Sequence, residues 1–221
     1  MNEIPFNEEP IEEIIEERPE WIIKGYPSEN LMNWFESEND YHLLRSFDLN
    51  ENSLVVDIGC YNGTWLKDMY CKYGCRCIGV EPVPKFYEQA SRILCSNKIQ
   101  LHNFGLCTSL TTQYTMDVCG DGSHVTPVGE RVRMKYAPKF FGNMSEDIDV
   151  LQINIEGYEY ELLPFMIEKK LLKLVKNIQI QFHDNVADAG IRMDDIISSL
   201  EGIGFKTKFN HPFIWYGGSR D

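Results

Sequence analysis

The segment from Ser53 to Glu81 constrains the fold of this chain more than any other. It reads as an apolar strand, a turn that runs from Gly59 to Gly63, a helix-like stretch and a second apolar strand that ends at Glu81. A buried strand that opens through a glycine turn into a helix forms the first half of a nucleotide-cofactor fold. The segment therefore predicts an α/β chain with a ligand at the carboxyl ends of its strands.

Two acidic residues in this segment indicate the kind of cofactor. Asp57 stands at the tip of the first strand, where a dinucleotide would place a pyrophosphate that a carboxylate repels. S-adenosylmethionine (SAM) carries an α-ammonium group and no phosphate. Glu81 ends the second strand, and its two oxygens can accept both hydroxyls of a ribose. With Gly59 and Gly63 allowing a close backbone approach, these features predict a SAM site, and NAD or no ligand are the alternatives.

Length and charge limit the domains and partners that the chain can have. Its 221 residues suit one buried core, and we predict an N-terminal helical extension over residues 1–50 and a cofactor-binding domain over 51–221. A net charge of −13 opposes a nucleic-acid partner. No stretch approaches the roughly 20 apolar residues of a membrane span, and the acidic N-terminus is unlike a signal peptide, so we expect a cytoplasmic protein. A homodimer is left open.

The cysteines favour reduced thiols over disulfides or a metal site. There are seven, an odd number, and they are scattered along the chain. Cys71, Cys75 and Cys77 have a spacing that matches no common zinc or iron–sulfur pattern. We therefore predict no metal.

The hydrophobic pattern predicts alternating strands and helices from residue 53 onward, hence a parallel sheet with right-handed crossovers and helices on both faces. The predicted strands are 53–57, 76–81, 99–104, 149–155 and 177–183, the helices are 64–73, 85–95, 159–170 and 193–201, and an antiparallel pair closes the chain at 205–210 and 213–216. An irregular insertion at about 106–147, with a short strand at 131–134, is where we expect the acceptor to be held. A short amphipathic helix is predicted within 1–20, and the helical region that follows it is either a cap on the sheet or a lid.

Polar residues alternate along two predicted strands that should be apolar throughout. They are Gln152, Asn154 and Glu156 on one strand and Gln179, Gln181 and His183 on the next. If the strands are neighbours, these side chains share one face and run toward the ligand edge. The three glutamines fit a satisfied hydrogen-bond network, whereas Glu156 and His183 end their strands beside the predicted cofactor. His183 could remove a proton from a hydroxyl and Glu156 could orient it, and His124 of the insertion is the rival base.

The segment Ile153 to Glu159, Ile-Asn-Ile-Glu-Gly-Tyr-Glu, together with the turn after Asp57, resembles the FkbM-type SAM-dependent methyltransferases. The resemblance extends from about residue 53 to 215. It implies a Rossmann-like class I methyltransferase fold, with a mostly parallel seven-stranded sheet, and O-methylation of sugars in polysaccharides or of small metabolites. Gln152, Asn154 and Gln181 replace a lysine, an aspartate and an acid that are usual in that family. We interpret these changes as one coordinated loss of charge, which makes metal assistance less favourable.

The chain is therefore predicted to be an O-methyltransferase that uses SAM and a sugar or small-molecule acceptor. A non-catalytic SAM-binding module that acts through a protein partner is the alternative. The predicted catalytic residues are His183, Glu156 and Asn154. The predicted cofactor-binding residues are Asp57, Gly59, Cys60, Tyr61, Asn62, Gly63, Glu81, Pro82, Asn103, Phe104 and Asn154. The predicted acceptor-binding residues are His124, Tyr158, Glu159 and Asp184.

Overall fold

The computed structural model describes residues 29–37, 39–110, 113–117, 124–125 and 129–220. Its contacts divide the chain into one compact unit that ends at Glu38 and another that begins at Asn39. Helix α1, Glu29–Glu36, lies in the first unit, and helix α2, Asn39–Leu44, in the second. The domain boundary expected at residue 50 stays a prediction, and the helix predicted within 1–20 lies outside the described residues.

The second unit is built around a seven-stranded sheet. Its strands are β1 Leu54–Ile58, β2 Arg76–Val80, β3 Ile99–His102, β8 Ile148–Ile153, β9 Val175–Ile180, β10 Lys206–His211 and β11 Trp215–Ser219. They lie in the order β10-β11-β9-β8-β1-β2-β3. Strands β3, β2, β1, β8 and β9 are parallel, while β11 runs antiparallel to both of its neighbours. The predicted sheet and its antiparallel closing pair are confirmed.

The side chains of each strand point alternately to the two faces of the sheet, so each face presents apolar residues to be covered. Helices cover both faces. They are α3 Thr64–Tyr73, α4 Pro84–Ile93, α6 Glu159–Glu168 and α7 Ala189–Gly202, and a 3₁₀ helix spans Leu171–Leu174. On β1, Val55 joins a buried cluster with Trp65 of α3 and Ala90 of α4. Val56 joins a larger cluster on the opposite face, with Leu162 of α6 and Ile196 of α7.

The insertion is more regular than the sequence suggested. Its elements are β4 Gly105–Cys107, β5 Gln113–Asp117, β6 His124–Val125, β7 Glu130–Tyr136 and helix α5 Ala137–Phe141. The strands form a second sheet with the order β4-β7-β5-β6. On β7, Val132 and Met134 are buried whereas Arg131 and Arg133 are exposed. One face of this strand therefore packs against the protein interior, and the other faces solvent.

Two of the central strands end sooner than predicted. Strand β8 ends at Ile153 and β9 at Ile180, so Glu156 and His183 both lie in the loops that follow. The predicted pairing of these strands is confirmed, because Gln152 stands opposite Gln179 in the parallel register. The short strands place two ionisable groups above the sheet edge, where open α/β sheets bind ligands.

Candidate functional site

A pocket opens at the carboxyl ends of β1, β2 and β8, and its empty space of about 720 Å³ includes open solvent at its mouth. Its floor is the turn after β1, one wall comes from the second sheet, and the loop after β8 closes the far end. The cavity is lined by Ile58, Gly59, Tyr61, Glu81, Pro82, Val83, Phe86, Gly105, Leu106, Met116, Met134, Asn154, Ile155, Glu156 and Tyr158.

The turn after β1 is held by contacts within the protein. Gly59 has φ +84°, and a Cβ at this position would lie 1.9 Å from the carbonyl oxygen of Asn154. At Gly63, with φ +82°, a Cβ would meet Leu94 at 2.7 Å. The two glycines are therefore required by the packing of the chain on itself, and this is a different reason from the close approach of a ligand that the sequence suggested.

Glu81 lines the cavity where β2 ends, as predicted. Its carboxylate accepts hydrogen bonds from the backbone N–H of Tyr61 at 2.9 Å and of Val83 at 2.8 Å. Burial raises the pKa of Glu81 to about 7, and these two hydrogen bonds oppose the rise. Asn103 donates from its side-chain amide to the carbonyl oxygens of Glu81 and Pro82. Glu81 is thus a fixed, half-neutralised carboxyl with acceptor capacity directed into the cavity.

Asp57 is placed differently from the prediction. It is the fourth of five residues in β1 and 1% exposed, and it is not among the residues that line the cavity. Its Oδ1 accepts from Nε2 of Gln152 at 3.1 Å, and Gln179 donates to Gln152 and to the carbonyl of Leu44. Burial raises the pKa of Asp57 to about 7, and the Gln152 bond lowers it less than the burial raises it. Gln152 and Gln179 are hydrogen-bonded as predicted, and Asp57 joins them. The network is not fully satisfied, because Oε1 of Gln179 has no partner in the described residues.

The loops after β8 and β9 bring Glu156, Glu159 and His183 together as one cluster. Nε2 of His183 lies 3.1 Å from Oε2 of Glu156, and Nδ1 lies 3.0 Å from Oε1 of Glu159. Burial acts to lower the pKa of His183, but the two glutamates together outweigh it and raise that pKa to about 9. At neutral pH His183 is therefore an imidazolium that donates from both ring nitrogens.

Asn154 presents an unused acceptor to the cavity. Asn154 is among the residues that line the pocket, and its side-chain Oδ1 is buried with no hydrogen-bond partner in the described part of the chain. A buried amide oxygen without a donor is costly unless a ligand supplies one.

The remaining predicted site residues lie around the cavity or away from it. Cys60 is buried within the turn, Asn62 accepts a hydrogen bond from Thr64 at the start of α3, and Phe104 stacks on His102. Tyr158 lines the cavity, and its hydroxyl lies 3.3 Å from that of Thr108. Glu159 is 0% exposed and Asp184 is exposed. The backbone of His124 lies in β6, while its side chain is outside the described part.

Sequence reasoning missed the apolar half of the cavity, formed by Val83 and Phe86 together with Leu106, Met116 and Met134. A signal for one of them was present, because the strand at 131–134 alternates arginines with Val132 and Met134. Among the described residues that line the cavity there is no lysine or arginine. No group of three or more His, Cys, Asp and Glu side chains suited to a metal occurs in the described ranges. In the same ranges no helix is long and apolar enough to cross a membrane.

Comparison with known proteins identifies a family and a fold. The model of the methyltransferase FkbM domain matches residues 57–207. No curated protein matches the sequence.

Three solved structures share the fold at a TM-score of 0.51. A putative rRNA methylase from Clostridium thermocellum is 12% identical, with 85% of this chain and 97% of that chain covered. A precorrin-6y C5,15-methyltransferase from Geobacter metallireducens is 12% identical, with coverage of 80% and 85%. The fibrillarin/Nop5p complex contains a chain that is 14% identical, with coverage of 91% and 79%.

Proposed function

The chain belongs to the FkbM methyltransferase family, whose cofactor is SAM, and from this premise we propose that it methylates a hydroxyl oxygen of a sugar or small metabolite. The observation that carries the proposal is the pair of carboxylates, Glu81 and Glu156, that line one cavity. One lies where β2 ends and the other follows β8. We assign the carboxylate of Glu81 to the cofactor and that of Glu156 to the acceptor.

The residues of the cavity fit SAM, which supplies a methyl group on a positively charged sulfur. Glu81 would accept the ribose hydroxyls, since its oxygens retain free lone pairs beside their two backbone donors. Val83, Phe86 and Met134 form an apolar compartment suited to the adenine. Asn154 has the orphaned acceptor that the α-ammonium group could satisfy, and it lies against Gly59 at the base of the turn.

The charge of the cavity supports an uncharged acceptor. Its described lining contains carboxylates and no lysine or arginine. The internal segments outside the description, 111–112, 118–123 and 126–128, contain no basic residue either. A phosphate-rich acceptor such as a nucleic acid would meet only repulsion in this lining. Tyr158 and Tyr61 offer aromatic surface on which a neutral sugar ring could stack.

Calorimetric titration with SAM, S-adenosylhomocysteine and NAD, followed by a methyl-transfer assay, tests the proposal. We expect micromolar binding of the first two ligands and loss of it in Glu81→Ala. Purified protein is then incubated with isotopically labelled SAM and panels of methyl glycosides, hydroxylated metabolites and RNA, and methylated products are detected by mass spectrometry. Label in RNA alone, or tighter binding of NAD than of SAM, would refute the proposal.

One observation favours the non-catalytic alternative. Both ring nitrogens of His183 are engaged by carboxylates, so the predicted base has no free lone pair. A module that only binds SAM would bind it without forming methylated product from any acceptor. The methyl-transfer assay distinguishes an enzyme from a non-catalytic module, because tight SAM binding without any methylated product supports the non-catalytic module.

A further inference from the structure

We infer that Glu156 is the group that accepts the hydroxyl proton, and that His183 and Glu159 are positioning residues that hold it in place. The inference rests on the proposed function and specifies which member of the cluster touches the acceptor. Of the three side chains, only that of Glu156 belongs to a residue that lines the cavity. Glu159 is 0% exposed, and His183 contacts Glu156 but is not among the lining residues.

The hydrogen bonds of His183 oppose its use as a base. Its Nδ1 is bonded to Glu159 at 3.0 Å and its Nε2 to Glu156 at 3.1 Å. Its backbone N–H also donates to Oε1 of Glu159 at 2.9 Å. A histidine between two carboxylates keeps both of its protons. It can donate to Glu156 but cannot accept from a substrate without first losing one of these bonds.

The backbone around Glu156 is held in an uncommon conformation. Glu156 has φ +55° and Gly157 has φ +100°, and a left-handed residue other than glycine persists only where its surroundings require it. Oε2 of Glu159 accepts the N–H of Gly157 at 2.8 Å. A Cβ on Gly157 would lie 2.6 Å from Oδ1 of Asn185. The Glu-Gly-x-Glu segment is thus a turn in which the second glutamate fixes the direction of the first.

The chemical step follows from this arrangement. The acceptor oxygen forms a bond to the methyl carbon as the sulfur–carbon bond breaks, and the electron pair of that bond remains on sulfur. The hydroxyl proton passes to the carboxylate of Glu156. His183 keeps its protons throughout, and its charge holds the Glu156 carboxylate toward the acceptor.

Three substitutions and one matched control separate the roles. Glu156→Gln preserves shape and an acceptor for His183 but removes the base, and we expect kcat to fall roughly 10²–10⁴-fold while SAM affinity stays within about threefold. His183→Gln and Glu159→Gln should lower kcat less than Glu156→Gln. Glu161→Gln is the control, since Glu161 is exposed on α6 and pairs with Arg192, and its kcat should match the wild type.

Two readouts distinguish positioning from a merely structural role. In an NMR titration of labelled histidine, assigned with His183→Gln, we expect the pKa of His183 near 9, and a much lower pKa in Glu156→Gln and Glu159→Gln. With an acceptor that the wild type methylates, kcat should be independent of pH between about 6.5 and 8 and fall as His183 deprotonates. A His183 base requires instead that kcat rise over the same range.

Several outcomes overturn the inference while leaving the proposed function intact. They are wild-type turnover in Glu156→Gln, a His183 pKa at or below its usual 6.5, and a kcat that rises with pH through the His183 titration. Loss of SAM binding in Glu156→Gln would assign this carboxylate to the cofactor ammonium group instead. If the wild type binds SAM but methylates no acceptor, the proposed function fails, and the inference falls with it.

Discussion

Replacement of Asp57 by asparagine should change how the stability of the cofactor-free protein depends on pH. The pKa of Asp57 rises from 3.8 to about 7 on folding, mainly because the carboxyl is buried. Between these values the folded protein keeps a proton that the unfolded chain has released, so the free energy of unfolding falls as pH rises from about 4 to about 7. At about 1.4 kcal/mol for each pH unit, ionisation of Asp57 removes on the order of 4 kcal/mol.

An asparagine at this position cannot ionise, yet its Oδ1 can still accept from Gln152, so Asp57→Asn isolates the charge from the hydrogen bond. We expect the variant to be more stable than the wild type at pH 8 by about 2–4 kcal/mol, and the difference to shrink toward pH 4. Urea unfolding at fixed ionic strength from pH 4.5 to 8.5 measures it. Asp194→Asn, which makes the same change at an exposed position of α7, is the control. If Asp57→Asn and Asp194→Asn differ from the wild type equally at every pH, the reasoning is wrong.

Three further outcomes follow from the cavity. Glu81→Gln should weaken SAM binding roughly 10–100-fold by calorimetry, because it removes charge-assisted acceptors for the ribose. The control Glu88→Gln, on the exposed side of α4, should bind SAM like the wild type. Equal affinities in the two variants would exclude Glu81 from the site. Gly59→Ala should lower the free energy of unfolding by more than about 2 kcal/mol, since its Cβ would meet the Asn154 carbonyl oxygen at 1.9 Å. Gly202→Ala is the control, because a Cβ at Gly202 meets nothing within 4 Å. If thermal unfolding shows the two variants to be equally stable, this expectation is wrong. At pH 7, SAM binding should release protons, because the pKa of Glu81, about 7 in the free protein, falls when a cation approaches. Calorimetry in buffers of different ionisation enthalpy measures this release, and identical binding enthalpies in all of them would argue against it.

The sheet could be predicted from the sequence because local signals agreed along most of the chain. Glycine turns, apolar strands and amphipathic helices from Leu54 to Gly202 all indicate one alternating pattern. The helix predicted over 64–73 has those bounds in the structure. The insertion was harder to predict because its strands pair with one another across long separations. Its second sheet depends on contacts between β4, β5 and β7 that no local pattern encodes.

The site was predicted in part, and the differences have a physical cause. Glu81, Asn154 and Glu156 line the cavity as expected, because each follows or ends a parallel strand. Asp57 does not, since the sequence cannot show that β1 continues to Ile58 and holds Asp57 beside Gln152. His183 was predicted to be a base because histidine titrates near neutrality. Its protonation depends on two glutamates that only the fold brings within hydrogen-bond distance.

Because residue 152 is a glutamine, it brings no positive charge to offset the burial that raises the pKa of Asp57. A lysine at this position, as the FkbM resemblance implies for relatives, would neutralise Asp57, whereas the Gln152 amide contributes one hydrogen bond that burial outweighs. Gln179 has a buried Oε1 with no partner in the described residues, and an ammonium group at position 152 could donate to it as well as to Asp57. Gln152→Lys should therefore lower the pKa of Asp57 and end the fall in stability at a lower pH than in the wild type, while Gln152→Met, which removes the hydrogen bond without adding charge, should extend the fall above pH 7. If the two variants unfold with the same dependence on pH, the charge at residue 152 does not control Asp57.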